Sequence, residues 1–398
     1  MKRNPRVMSL FLFIILSILS CDDDEKKPGP VVDPPVDTDF YFGADLSYVN
    51  QVEDHGGVYK DEQVAKDPYT IFKDNGTNLV RLRLWHNPAW TKEVYGDAGT
   101  QMYNDLNDVA ESIARAKETG MQVLLDFHYS DVWADPGTQK IPAAWKSIID
   151  IEKLQDSVYN YTLATLQYLN ERDLLPELVQ LGNETNCGML YTDAPEAFPS
   201  CNVCDGEWQN IGKVLNGGIR AVREVTASTT IKTKIVLHVA DPKNVQWWFD
   251  NIKSQAGVTD FDVVGFSYYP LWHTTVPLDE VSNSVASFKQ RYNKDVMILE
   301  TAYPWTTESA DSYNNHFGDS NPITGYPFSP QGQYDFLTRL TTEVMQGGGI
   351  GVVYWEPAWV TSNVKDMWGS GSSWENNTFF DFTGNTHQGI EFMKFNYE

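Results

Sequence analysis

The chain has 398 residues, 41% hydrophobic and 21% charged, which is enough apolar material for a large core and excludes a disordered tail. Its formal charge of -24 excludes a nucleic-acid backbone as partner, because that binding draws on an excess of Lys and Arg. A neutral ligand fits better, and 13 Trp, 20 Tyr and 19 Phe offer flat apolar faces with polar edges that suit sugar rings as well as protein cores.

Lys2, Arg3 and Arg6 precede an apolar run from Val7 to Leu19 that is too short to span a bilayer comfortably, so residues 1–20 read as a signal peptide. The ILSC ending at 18–21 resembles a bacterial lipobox, in which cleavage leaves Cys21 as a lipidated N-terminus; an ordinary signal peptide or a single anchor helix is the alternative. The acidic run from Asp22 to Glu25 resembles the export signal of surface lipoproteins. The expected location is therefore the outer membrane, facing the cell surface, with the membrane reached through Cys21. Residues 21–39 are charged and Pro-rich and read as a semi-extended tether, leaving 40–398 as one domain.

From Phe40 onward eight short apolar runs recur between longer polar stretches: YFGADLS (41–47), NLVRLRLW (78–85), MQVLLDFHY (121–129), LVQLGNE (178–184), KIVLHVAD (234–241), VVGFSYY (263–269), VMILETAY (296–303) and GIGVVYWEP (349–357). Helical patterns lie between them, such as 106–120, where Val109, Ile113 and Ala116 share one face and Gly120 can end the helix. Eight alternating strand and helix units predict an α/β fold, a (β/α)8 TIM barrel. A doubly wound open sheet is the alternative, but no Gly-rich dinucleotide fingerprint follows the first run.

Each run is apolar early and polar late, and in such a barrel the C-terminal strand ends carry the chemistry. The polar ends are Arg81 and Arg83 with Trp85, Asp126 and His128, Asn183 and Glu184, His238, Tyr269, Glu300, and Trp355 with Glu356. Any one of them alone is as well explained by a satisfied structural polar group; the set arriving at one rim points to a site. Cleavage of a glycosidic bond needs two carboxyl groups flanking the anomeric carbon. Glu184 and Glu300 sit at the ends of runs four and seven, which face each other across a barrel mouth. A partly buried Glu184 near a second negative group suits a proton donor, while a nearby cation keeps a nucleophile ionised. Arg83 is the expected cation, Tyr269 the group orienting the nucleophile and Asn183 a partner for a sugar hydroxyl.

The strings GADLSYVNQVEDHGGVY, VRLRLWHNP, LLDFHYSDVWADPGTQKIPAAW, QLGNET, GFSYYPLWH, LETAYPW and YWEPAW resemble the endo-β-1,4-galactanases of glycoside hydrolase family 53, in clan A, from about Phe40 to Phe382. The resemblance implies a retaining mechanism with Glu184 as acid/base and Glu300 as nucleophile, and no cofactor for catalysis. It also implies β-1,4-galactan of pectin side chains, and galacto-oligosaccharides, as ligands. A monomer is expected. Another β-1,4-glycan as substrate, or a non-catalytic glycan-binding surface lipoprotein, are the rival readings.

The long segment 186–208 after run four carries Cys187, Cys201 and Cys204; one bridge with one thiol left over is favoured over zinc, the pairing being open, and the loop is expected to shape the groove. Some bacterial members of the family hold a structural calcium between the loops after strands seven and eight. Here Asp311, Asn314, His316, Ser372 and Glu375 are the matching donors, with shifted spacing and Glu in place of Asp. Trp85, Trp133, Trp355, Trp359 and Trp368, with Arg83, His128, His238 and Tyr269, complete the expected substrate-binding set, core packing being the alternative for each tryptophan.

Overall fold

A computed structural model describes residues 40–191 and 201–397. The expected signal peptide, the lipidated Cys21 and the 21–39 tether lie outside the described residues. Eight parallel strands close into a barrel: β1 (Tyr41–Asp45), β2 (Leu79–Leu84), β3 (Gln122–Phe127), β4 (Leu178–Leu181), β5 (Lys234–Ala240), β6 (Val263–Ser267), β7 (Asp295–Thr301) and β8 (Gly351–Tyr354), with β8 hydrogen-bonded back to β1. Seven fall within their predicted runs, and β7 begins one residue earlier, at Asp295. The intervening helices are α1 (Pro68–Asp74), α2 (Leu106–Glu118), α3 (Ile151–Asn170), α4 (Trp208–Thr226), α5 (Pro242–Ser254), α6 (Val281–Tyr292) and α7 (Pro330–Gln346), and a 3-10 turn, Gln388–Lys394, follows the last strand. Among the described residues no helix is long and apolar enough to cross a membrane.

Local chemistry sets the helix starts. The Asp67, Asp241 and Ser329 side chains each accept a backbone N–H of the first turn and precede a proline, whose missing N–H leaves nothing unsatisfied there. Helix α2 ends where Gly120 takes a positive φ, as the 106–120 pattern predicts.

Period-two alternation divides every strand between two environments. Val80, Leu82 and Leu84 of β2, for example, face the helices in the large outer core. Inside the barrel, Leu79, Leu124, Leu178, Val236, Val263, Met297 and Val353 form an apolar plug at the N-terminal end. Two residues further along, the same inward phase delivers Arg81, Asp126, Gln180 and His238. The plug and the polar layer are thus successive turns of one alternation, and a one-residue slip in any strand would invert both.

Strand β7 departs from that phase. Met297 and Leu299 face inward, which by alternation would send Glu300 outward. The register with β6 shifts between Phe266 and Ser267, pairing Ser267 with Glu300, and the register with β8 shifts between Ile298 and Thr301. The extra residue is a β-bulge that turns Glu300 into the mouth.

Candidate active site

A cleft of about 640 Å³ opens over the C-terminal strand ends, and both predicted carboxylates line it. The backbone of Glu184 takes φ 46°, a left-handed conformation costing about 1–3 kcal/mol for a residue other than glycine, so surrounding contacts must hold it. Oxygens of Glu184 and Glu300 and a ring nitrogen of His238 all lie within 4.8 Å of one another. That is close to the ~5 to 5.5 Å carboxyl separation of retaining glycosidases and short of the ~6.5 to 9.5 Å that inverting enzymes need for an intervening water.

The two carboxyls differ in their partners. Glu300 receives Arg81 Nη1 on Oε1 at 2.9 Å and the Tyr269 hydroxyl on Oε2 at 2.8 Å. Burial pushes its pKa up, while Arg81 and Tyr269 pull it back. Burial, and then the charge of Glu300, push Glu184 well above the carboxylate range, with only the Ser267 hydroxyl opposing among its hydrogen-bonding side chains. At a site of this kind two neighbouring acids are driven apart, so that one holds a proton while the other is ionised.

Arg81, rather than Arg83, is the cation at Glu300. The Arg81 guanidinium also pairs with Asp45 at 2.9 Å and Asp126 at 2.7 Å, and donates to Asn183 Oδ1 at 2.7 Å. Arg83 lies two residues further along the strand, pairs with Glu356 at 3.0 Å and sits 4.1 Å from the centroid of a Trp133 ring. Alternation gives both arginines the same face, and depth in the mouth separates their roles.

Of the expected substrate-binding set, Arg83, His128, Asn183, Tyr269, Trp133, Trp355, Trp359 and Trp368 line the cleft. The chain turns after β2 and buries Trp85 completely against Trp90 and Trp133, so it is a packing residue. His238 is also fully buried and sits behind the carboxyls, on Ser267 and Gln180, instead of facing the cleft. Both ring nitrogens of His128 are occupied: Trp85 Nε1 and Ala134 N reach Nδ1 and Asp126 takes Nε2, which makes it a fixed part of the cleft wall.

Trp272 was missing from the expected set. It lies outside the strand in the GFSYYPLWH string, is 51% exposed, lines the cleft and packs on Phe317 at 4.4 Å. Trp374 and Asp135 also line the cleft without having been singled out. Ser267 was detectable, because it continues the inward phase Val263, Gly265, Ser267, but a serine at a strand end is too common a sight to attract notice.

The loops after β7 and β8 meet at Glu375 and Asp311. Glu375 Oε1 accepts from Ala310 N at 2.7 Å and Ser309 Oγ at 3.0 Å, and its Oε2 accepts from the Thr361 hydroxyl. Asp311 accepts from Tyr313 N at 2.7 Å and Ser372 N at 2.8 Å. Asn314 and His316 line the cleft. Among the described residues the one grouping of three or more His, Cys, Asp or Glu donors is Glu184, His238 and Glu300. With these carboxylates already satisfied by N–H and O–H donors, the five residues do not fit a shared calcium.

Of the three cysteines, Cys187 and Cys204 are bridged, with Cα atoms 5.0 Å apart, and Cys201 is a buried thiol whose pKa burial pushes up to about 12. The bridge fastens the small antiparallel pair Gly188–Met189 and Cys201–Asn202, three residues after Glu184. None of the described residues of that loop beyond Glu184 lines the cleft.

Residues 41–393 match Glycosyl hydrolase family 53. The chain belongs to that family. It is 44% identical, over 91% of its own length and 92% of the relative's, to a Cellvibrio japonicus protein named arabinogalactan endo-beta-1,4-galactanase. It is 31% identical to a Bacillus subtilis endo-beta-1,4-galactanase, covering 90% and 86% of the two chains. The solved family 53 catalytic domain of Ignisphaera aggregans superposes with a TM-score of 0.78 at 34% identity, covering 92% of this chain and 98% of that one. A solved fungal beta-1,4-galactanase gives a TM-score of 0.71 at 30% identity, over 89% and 98%. As a family 53 member the chain is a glycosidase on a single (β/α)8 barrel.

Proposed function

We propose that this protein is an endo-acting β-1,4-galactanase that cleaves galactan side chains of pectin by double displacement. The observation that carries the reading is the Glu184–Glu300 pair, held close enough for a covalent route in a cleft lined by Trp133, Trp272, Trp355 and Trp359. Stacked aromatic faces suit a polymer of neutral rings. Glu300 attacks the anomeric carbon while Glu184 passes its proton to the departing glycosidic oxygen. Esterification then removes the charge of Glu300. Because that charge is one cause of the raised Glu184 pKa, its loss lets Glu184 stay ionised after giving up its proton, ready to take one from the incoming water. Asn183 supports the 2-hydroxyl: its oxygen is taken up by Arg81 and Gln180, and its amide nitrogen, which also donates to Ala134 O at 2.8 Å, offers a second hydrogen to the sugar.

The reading is tested by product analysis on a panel of β-1,4-galactan, mannan and glucan. Galacto-oligosaccharides of mixed length are expected from galactan alone, and at least ~1,000-fold slower release by Glu184→Gln and Glu300→Gln. Release of galactose only, or parental rates in either variant, would refute it.

We further read the N-terminus as a lipoprotein signal, with a monomer tethered through Cys21 at the outer surface. Cys21→Ala should release the protein from washed membranes, and external protease should reach the parent in intact cells. The loops around Glu375 are read as ion-free, so a calcium chelator should leave the melting temperature unchanged; a drop would restore the calcium reading.

A further inference from the structure

Glu184 makes one side-chain hydrogen bond, from Ser267 Oγ to Oε1 at 2.5 Å. Behind Ser267 lies His238, with Nε2 at 2.9 Å from the same hydroxyl. The direction of each bond follows from the donor inventory. The backbone N–H of Glu184 points at His238 Nδ1 at 3.3 Å, and a backbone N–H can only donate. Gln180 Nε2 also lies 3.0 Å from Nδ1, sharing its two hydrogens among Nδ1, Gly182 O and Asn183 Oδ1, each at 3.0 Å; its amide is oriented by Arg81 Nε, which donates to Gln180 Oε1 at 3.2 Å. Nδ1 therefore accepts, and the neutral imidazole carries its hydrogen on Nε2. Asn183 Oδ1 also lies 2.9 Å from Nδ1, and this contact between two acceptors is held by the N–H groups of Arg81 and Gln180 that converge on that oxygen. With His238 donating to Ser267 Oγ, the serine has its own hydrogen left for Glu184.

We propose that Ser267 and His238 are positioning residues in a one-way hydrogen-bond loop that leaves Glu184 at its backbone N–H and returns to its Oε1, reserving Oε2 as the oxygen that carries the transferable proton. The inference rests on Glu184 as the acid/base. In the protonated carboxyl, Oε1 accepts from Ser267 and the hydrogen sits on Oε2. When Oε2 gives that proton to the leaving oxygen, the Ser267 hydrogen bond remains in place on the carboxylate, and the imidazole is neutral before and after. No proton travels around the loop. Its polarity is anchored at the far end by Arg81, the same guanidinium that holds Glu300. Both carboxyls are thereby referred to one cation, directly for the nucleophile and through three neutral side chains for the acid.

The charged and titratable groups facing Glu184 are Glu300 on β7, Arg81 on β2, Asp135 after β3, His238 on β5 and Tyr269 after β6. Ser267→Ala changes none of them and deletes one bond to the carboxylate. Its kcat/KM on galactan should fall about tenfold or more, and the alkaline limb of the pH profile should move to higher pH. Dinitrophenyl β-galactobioside, whose leaving group needs no proton, should lose much less. Ser267→Thr, which keeps a hydroxyl, should restore the parental limb. An unmoved limb, or equal losses on the two substrates, would reduce Ser267 to a structural role and overturn the proposal.

A second measurement needs no folded serine variant. Infrared difference spectra of the parent against Glu184→Gln isolate the protonated carboxyl of Glu184, which should show a C=O stretch lowered by an accepted hydrogen bond; a stretch without such a bond would overturn the loop. If Glu184→Gln hydrolyses galactan like the parent, the acid/base reading itself fails. If that variant is inactive while Ser267→Ala matches the parent, only the loop fails.

Discussion

Glu300 and Glu184 end strands on facing sides of one mouth, but their surroundings differ in kind. The Glu300 side is ionic: a guanidinium and a phenol touch the carboxylate, with Asp45 and Asp126 sharing the cation. On the Glu184 side the one side-chain hydrogen bond comes from a hydroxyl, backed by an imidazole whose pKa burial and Arg81 hold well below its usual value and, behind that, by the primary amides of Gln180 and Asn183. A fixed charge favours an ionised nucleophile, whereas neutral dipoles leave an acid free to change its protonation state without stranding a counter-ion. Two like residues acquire two tasks from what lies beside them.

The severest way to break the contrast is Arg81→Met. It leaves Asp45, Asp126 and Glu300 buried without their cation, and kcat/KM should fall by roughly 100- to 1,000-fold, with about 3–5 kcal/mol lost from stability. Steady-state kinetics and denaturant melts read both; a variant that melts normally and stays active would show that the cation is dispensable.

Tyr269→Phe is a milder intervention. It removes one donor from Glu300, whose hydrogen bond holds that pKa down, so the acid limb of kcat/KM should move to higher pH and the plateau should drop about tenfold. The pH profile should leave the alkaline limb nearly where it was. A shift of the alkaline limb alone would place Tyr269 with the other carboxyl.

The smallest effect is also of opposite sign. Glu184 titrates higher in the folded chain than in the unfolded one, so the parent loses stability as pH rises above the unfolded value of about 4.3 and on towards the folded value. Gln has no such loss. Glu184→Gln should therefore melt above the parent at neutral pH, by roughly 1–2 kcal/mol, with the gap closing as pH falls towards 4.3. A gap that widens on acidification would mean that the carboxyl is stabilised as an anion, contrary to its burial beside the charge of Glu300.

Much of this was legible in the strand periodicity. The eight apolar runs gave the barrel, and apolar-to-polar drift along each gave the rim that holds Glu184 and Glu300. What escaped depends on depth and on where the chain bends. Arg81 and Arg83 share one face, so alternation cannot say which meets Glu300; the bulge in β7, which decides how far Glu300 reaches inward, has no sequence mark of its own. Trp85 looked like a stacking platform because it ends a strand, yet the chain turns there and buries it. Trp272, by contrast, stands on a loop, outside any period. The calcium donors were matched by residue type, and type is silent about whether backbone N–H groups have already claimed the oxygens.

The apolar plug below Arg81 has a consequence for proton traffic. Leu79, Leu124, Leu178 and Met297 close the barrel floor, each with essentially no exposure, and such a layer offers no chain of polar groups along which a proton can move. Hydrogen ions can then reach the carboxyl pair only through the mouth, by the route that a sugar chain occupies when bound. The pH of the medium thus acts on the pair from one side, setting through the mouth the fraction of enzyme with one proton on Glu184 and none on Glu300.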